Sequence, residues 1–404
     1  MSVGYFKRSG TFVLNKNESI HRWYSYLEGY SYCLIEDIID EIGAENIKNI
    51  YDPFCGTGTT VLVASSKGIK SCYTESNPFM QCVIEAKINA VKRLRENNIK
   101  SHNLEKFIIA INDRQQYILN NKSEYEWEGF EKYFDENVLC QIRYLYGYTS
   151  IIDDNDSRLI AKVLLASIIV RSSNMVRQGD LRFAKEKEKK QNDKEVLHNY
   201  ISKLEEAIKD IESNDCPTLS ETVKLADDAR NIEIVNDVDC VITSPPYLNG
   251  TNYIRNTKLE LKLLEFISSE SELPLFHSKG IIAGINNVSK RNADIPILDV
   301  IKPYVNMLEP VAYDKRITKM VAGYFYDMDN VINKLSIALK DNGYFIMDIG
   351  DSQFAGIHIP THEILKYICY SHGFNIFDEN ILRERRSKNG MILSQRLLKF
   401  KLRK

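Results

Sequence analysis

No apolar run in this 404-residue chain approaches the roughly 20 residues that a membrane-spanning helix requires, and residues 1–10 hold no apolar signal-peptide core. The expectation is a cytoplasmic protein with no membrane partner. Cysteine is sparse and scattered, eight residues with no C-x-x-C pair. That pattern indicates reduced thiols, not a disulfide framework or a zinc ribbon. His358 and His362 stand four apart, but no glutamate lies between them as a metalloprotease helix would need. They read as a surface pair at a helix start, and no metal site is expected. A surplus of either charge is missing too: 53 basic against 55 acidic residues leave a net charge of −2. A nucleic-acid partner would have to be met by local basic patches. What remains, 44% hydrophobic and 27% charged, is ordinary for a globular protein large enough to bury a substantial core.

Proline is thin as well, ten residues, yet two are adjacent, in the most informative stretch of the chain. Val241-Ile242-Thr243 can end a buried strand. Ser244-Pro245-Pro246-Tyr247 cannot continue it, because proline fixes φ and offers no N–H to a sheet ladder. The backbone is forced out at the strand's carboxyl end, where open α/β sheets place their ligands. The product is a rigid shelf with a serine hydroxyl, carbonyls free of competing donors, and a flat aromatic face. A planar group carrying an amino substituent would fit it; a plain strand-to-loop turn is the other reading of the same residues.

A second stretch reads as strand, glycine-rich turn and helix: a strand over 47–51, then Asp52-Pro53-Phe54-Cys55-Gly56-Thr57-Gly58-Thr59-Thr60, then a helix over 60–67. No Gly-Lys-Ser/Thr follows, so it is not a P-loop. Val61 occupies the place of the third glycine of the dinucleotide fingerprint. The next strand, over 70–74, ends in Glu75-Ser76, and an acidic residue there typically takes ribose hydroxyls. Turn and glutamate together suggest an adenosine-containing ligand with no demand for pyrophosphate.

Elsewhere strands and helices alternate. Helical spacing predicts helices over 33–42, 78–97, 327–339 and 360–372; apolar runs predict strands over 222–225, 238–243, 344–349, 374–377 and 391–402. Two stretches interrupt this. Residues 98–219 read as a helical insertion with no strand signal, and 270–325 as a second, irregular insertion. The expected fold is α/β, a doubly wound sheet whose core comes in three parts, 1–97, 220–269 and 326–404. Within the first insertion, Arg171, Arg177 and Arg182 lie among small polar residues and suit phosphate contacts, whereas the lysines at 185–190 read as a solvated face.

Asp-Pro-Phe-Cys-Gly-Thr-Gly-Thr-Thr at 52–60, taken with Thr-Ser-Pro-Pro-Tyr at 243–247, resembles the DNA amino-methyltransferases. These transfer a methyl from S-adenosylmethionine to cytosine N4 or adenine N6. The resemblance covers residues 20–90, 220–268 and 325–404 and implies a Rossmann-like class I methyltransferase sheet carrying the two insertions. It implies S-adenosyl-L-methionine as cofactor, its methionine part in the 52–60 loop, its ribose at Glu75 and Ser76, and its adenine at Asp228 and Ala229. Trp23 and Tyr24, in the aromatic cluster before the loop, would either help bind the methionine end or plug the core. Ser244, Pro245, Pro246 and Tyr247 become the catalytic shelf. Double-stranded DNA is the implied partner, with a cognate restriction endonuclease encoded nearby as a second. DNA contacts are expected at Arg171, Arg177, Arg182, Asn249 and Tyr253, and at Lys290 and Arg291 in the second insertion, the candidate reader of the target. Carbon-5 cytosine methylation needs a cysteine nucleophile, and the shelf has none. Serine before the prolines favours cytosine N4. Adenine N6 shares the shelf, and an RNA base amino-methyltransferase or a non-catalytic DNA-recognition subunit are the remaining alternatives.

Overall fold

A computed structural model of the chain describes residues 10–404 except 26–28, 98, 100, 121–126, 190–194, 214–218, 234–235, 249–251, 289–294 and 388. The first long helix, Tyr32–Ile42, starts where the Ser31 side chain accepts the Leu34 N–H and stops at Gly43, whose φ of +88° only glycine adopts readily. Leu34, Ile35, Ile38 and Ile39 form its buried stripe. Strands β1 (Asn49–Asp52) and β2 (Lys70–Thr74) follow, joined through the helix Thr59–Ser66. A short hairpin, β3 (Met175–Gln178) and β4 (Asp180–Phe183), lies inside the first insertion. Then come β5 (Thr222–Ala226), β6 (Val238–Thr243), β7 (Leu339–Gly350), the hairpin β8 (Ser352–Phe354) and β9 (Ile357–Ile359), β10 (Phe374–Arg386) and β11 (Ile392–Leu402).

Seven strands make one sheet, in the order β10-β11-β7-β6-β1-β2-β5. Only β11 runs antiparallel to its neighbours; the other pairings are parallel, an arrangement consistent with a class I methyltransferase fold. Alternation along the strands sorts the two faces. Ile50, Cys240, Ile242 and Ile346 pack with the helices Tyr32–Ile42 and Thr59–Ser66. Tyr51, Val241, Phe345 and Met347 pack with the helices Arg316–Ala338 and Thr361–Ser371 on the other side. Strand order reverses between β1 and β6, so the loops leaving their carboxyl ends part there and open a crevice. Among the described residues no helix is long and apolar enough to cross a membrane.

Three readings of the sequence are corrected. The stretch 98–219 is not all helix: β3 and β4 pair around Gly179, whose φ is +76°. Each strand is only four residues long, too short for alternation such as Asp-Leu-Arg-Phe to stand out, which hid them. Nor does this stretch stand apart, since its central helix Asn155–Ser172 shares one hydrophobic cluster with core residues Phe79, Val83 and Leu259. The helix predicted over 327–339 begins at Arg316, inside the stretch read as irregular, and Ile317, Met320, Val321, Tyr324 and Phe325 extend its buried stripe. β10 runs thirteen residues, not four, because it is an edge strand whose second half leaves polar side chains in solvent.

Candidate active site

The crevice holds a cavity of about 1130 Å³ counted to its open mouth, walled by the loops after β1, β2, β5 and β6. Four carboxyl strand ends converge on it, and each brings the residues that local backbone chemistry put there. After β1, Gly56 and Gly58 take positive φ, +54° and +83°, and Gly58 is the residue from which the helix Thr59–Ser66 springs. A Cβ on Gly58 would lie 3.0 Å from Ile84 Cγ1, so the loop seats against the next helix as well as turning. Pro53, Phe54, Cys55, Gly56, Thr57 and Thr59 line the cavity. Asp52, Gly58 and Thr60, predicted with them, do not; they shape the loop from behind. The Asp52 carboxylate accepts the Phe54 N–H (3.1 Å), the Tyr30 hydroxyl (3.1 Å) and the Thr243 hydroxyl (2.6 Å), and Tyr30 also hydrogen-bonds Thr60. Burial raises the Asp52 pKa against these bonds.

After β2, Glu75 faces the cavity with Ser76 beside it. Its two oxygens accept the N–H groups of Gly56 and Asn77, each at 2.8 Å, and burial pushes its pKa up to about 7. After β5, the acidic group at the cavity is Asp227, not Asp228 as the sequence suggested. Asp228 turns away to hold the Arg230 guanidinium at 2.8 Å, and Arg230 continues to Asp327 at 3.0 Å. Asp227 stays ionised, held to about 2 despite partial burial by hydrogen bonds from Lys279 and Lys224. Ala229 lines the cavity as expected from its place beside this turn.

After β6, Ser244, Pro245, Pro246 and Tyr247 all line the same cavity. The Tyr247 ring lies over Gly350 at the end of β7, where a Cβ would meet two ring carbons at 3.4 Å. Its hydroxyl donates to Asp348 Oδ1 at 3.2 Å. Asp348 is buried, accepts Gln395 Nε2 at 2.9 Å, and has its pKa pushed up to about 7 by desolvation. The second insertion supplies the remaining wall through His277, Gly280, Ile281 and Ala283, and His277 hydrogen-bonds Asn252.

Several predicted residues lie elsewhere. Trp23 and Tyr24 do not reach the cavity. Trp23 Nε1 donates to Asp210 at 2.8 Å and the Tyr24 hydroxyl to Glu260 at 2.8 Å, both fully inside the core. They plug the joint between the first insertion and the sheet. Arg177 is turned inward too: it pairs with buried Glu260 and donates to the Asn256 carbonyl at 2.7 Å and to Tyr24. Arg182 is closed on Glu188 by two 2.8 Å bonds, while Arg171 sits exposed at the end of the helix Asn155–Ser172. Tyr253 lines the cavity. Asn249, Lys290 and Arg291 lie outside the described residues. His362 is buried, not at the surface, and bonds Asp351 at 2.6 Å with His358 near the same carboxylate. Glu379, which comes near His362, is already neutralised by Lys366 and Arg396, so this cluster is built of ion pairs.

Four residues escaped the sequence reading. Tyr30 lines the cavity just ahead of the Ser31 cap. Asp227 was hidden beside Asp228. Asp348 could have been noticed as an acid inside an otherwise apolar strand. Lys87, fully buried in a π-helical turn, donates to the Thr57 carbonyl at 3.3 Å, and burial lowers its pKa to about 7. A lysine three turns into a helix carries no signal of its own.

No family model matches the chain. It is 25% identical over 406 residues to the Type II methyltransferase M.AvaI of Nostoc sp. (strain PCC 7120 / SAG 25.82 / UTEX 2576), covering 91% of this chain and 81% of that protein. It is 27% identical over 400 residues to the Type II methyltransferase M.BsoBI of Geobacillus stearothermophilus, covering 88% and 73%. With the Type II methyltransferase M.MvaI of Kocuria varians it shares 21% over 385 residues, covering 87% and 81%.

Proposed function

We propose that this chain, whose homologues are type II methyltransferases, is a site-specific DNA methyltransferase of a restriction-modification system, acting on the exocyclic amine of a flipped base. One observation carries the reading: the glycine loop and the Ser-Pro-Pro-Tyr shelf open on one cavity and are tied together by the Thr243–Asp52 hydrogen bond. S-adenosylmethionine fits the donor set. The glycine loop is a close-approach cradle, the Glu75 carboxylate suits the ribose diol, and Ala229 and Ile281 offer an apolar seat with Asp227 at its edge. When bound, it supplies an electrophilic methyl group. The two charged pairs of the expected DNA face, Arg177 and Arg182, are better read as structural. Asn249 and Tyr253, which follow the shelf in sequence, and Lys290 and Arg291 with the rest of the 270–325 insertion stand as the elements that would read the target.

The chain's own residues then perform three tasks. Ser244 Oγ and the carbonyl of Ser244 or Pro245 accept the two hydrogens of the amine, drawing its lone pair out of ring conjugation and onto nitrogen; the proton that nitrogen sheds as the N–C bond forms leaves along one of these hydrogen bonds to solvent. Tyr247 gives the base a face to stack on, which offsets part of the cost of removing it from the duplex by roughly 1–3 kcal/mol. The prolines hold both groups on a backbone that cannot rearrange, so the reacting atoms meet as if in one molecule. No covalent enzyme intermediate is required. We assign cytosine N4 as the acceptor because a neutral serine stands before the prolines; adenine N6 is the second reading, since it would offer the same amine to the same shelf.

Modified-base sequencing of DNA from cells expressing the chain tests this in one experiment. N4-methylcytosine at a defined sequence is expected. N6-methyladenine would replace the base assignment alone, and methylated RNA with unmodified DNA would overturn the function. Ser244→Ala is expected to lower transfer on the order of a hundredfold, as loss of one preorganised polar group does elsewhere; wild-type activity in both Ser244→Ala and Tyr247→Ala would remove the shelf assignment.

A further inference from the structure

Behind Tyr247 lies a second cavity, of about 750 Å³, which shares Tyr247 and Gly29 with the first. Its outer wall is the β10–β11 hairpin. Arg383 pairs with Gln395 and Arg385 with Leu393 across the two strands, and all four residues line this cavity. Two apart on a strand, Arg383 and Arg385 project from the same face with their origins about 7 Å apart.

Among the described residues, no anion is left for them. The two carboxylates in the cavity are committed elsewhere: Asp348 accepts from Gln395 and Tyr247, and Asp351 from His362 and Ser394. Arg396 on the same hairpin is taken by Glu379. Arg383 and Arg385 are exposed and, among the described residues, neither forms an ion pair. This contrasts with Arg177, Arg182 and Arg230, each closed on a carboxylate within the protein. Two guanidinium groups on a cavity wall, aimed alike and uncompensated, suit an external polyanion, because the planar fork matches phosphate oxygens in pairs.

We propose that Arg383 and Arg385 bind the sugar–phosphate backbone next to the nucleotide whose base reaches Tyr247, an assignment that rests on the methyltransferase reading above. A base stacked on Tyr247 leaves its own phosphates at the mouth between the two cavities, within reach of the hairpin. The contact positions the strand without reading sequence. It takes over the role that the sequence suggested for Arg177 and Arg182.

Binding of a random-sequence 30-base-pair duplex, followed by fluorescence anisotropy over a salt series, isolates backbone contacts, because non-specific affinity is almost wholly electrostatic. Each neutralised phosphate contributes a slope of about −0.9 in log K against log salt, so the Arg383→Ala/Arg385→Ala double variant should be shallower than wild type by nearly 2. Its S-adenosylmethionine affinity by calorimetry should be unchanged, and Arg383→Lys/Arg385→Lys should recover most of the slope. A double-alanine variant with the wild-type slope overturns the assignment, and so does one that has lost cofactor binding, since the arginines would then be structural. A wild type that binds the duplex with no salt dependence overturns the methyltransferase reading as well.

Discussion

Thr243 Oγ1 donates a 2.6 Å hydrogen bond to Asp52 Oδ1, joining the last residue of β6 to the last residue of β1, 191 positions earlier. Through it the two motifs hold a common geometry: Asp52 also receives the Phe54 N–H at the start of the glycine loop, and Thr243 is bonded directly to Ser244. Thr243→Val keeps the shape of the side chain and removes the donor. A buried carboxylate then loses one charge-assisted bond, worth roughly 1.5–3 kcal/mol. Urea unfolding should show a loss of that order, and S-adenosylmethionine should bind more weakly because the loop loses its anchor. Unchanged stability would show that the bond contributes nothing net.

Glu75 sets a pH dependence. Desolvation raises its pKa from 4.5 to about 7, so in the unliganded protein the carboxylate is protonated below that value and ionised above it. Ribose hydroxyls donate hydrogen bonds, which the ionised form accepts and the protonated form accepts poorly. Cofactor affinity measured by calorimetry should therefore rise between pH 6 and pH 8. Glu75→Gln should bind more weakly and lose this dependence. A wild-type affinity that is flat across that range would separate Glu75 from the ribose.

Arg177 and Arg182 should respond differently to the same change. Arg177→Ala leaves Glu260 buried and uncompensated, a defect that costs about 3–5 kcal/mol. Arg182→Ala breaks a solvent-screened pair with Glu188, and no measurable loss of stability is expected. Neither should alter the salt dependence of duplex binding beyond what instability causes. A fully stable Arg177→Ala protein with weakened DNA binding would return Arg177 to the DNA face.

Tyr247→Phe tests the hydroxyl apart from the ring. The ring still covers Gly350 and still offers a stacking face, but Asp348 loses the 3.2 Å donor. A fall in kcat/KM of around tenfold is expected, corresponding to about 1–2 kcal/mol, against a larger loss for Tyr247→Ala. Equal losses in both variants would mean that the hydroxyl, not the ring, is what matters.

Much of the fold was legible because its signals are local. Gly56 and Gly58 adopt backbone angles that other residues resist, and Pro245-Pro246 end a strand wherever they occur. Helical spacing marked Leu34 to Ile39 and apolar runs marked β6 and the centre of β7. The elements misjudged were those whose stability is lent by neighbours. β3 and β4 are held by pairing with each other, and the second half of β10 by pairing with β11. The first two turns of the helix Arg316–Ala338 bury Ile317, Met320 and Val321 against partners that lie far away in sequence.

Where the backbone must turn, and which residue types stand at the turns, follows from local chemistry alone. Steric limits on φ and the alternation of side chains act within a few residues, and they placed the glycine loop, Glu75 and the Ser-Pro-Pro-Tyr shelf at strand ends. Which polar groups face the cavity depends instead on pairing across the folded chain. A charged side chain is taken by whichever opposite charge the fold brings within about 3 Å, and that partner can lie anywhere in the chain. Arg230 beside it and Asp327 beyond withdrew Asp228 and left Asp227 facing inward; Glu260 withdrew Arg177; Asp210 withdrew Trp23. Arg383 and Arg385 were left over.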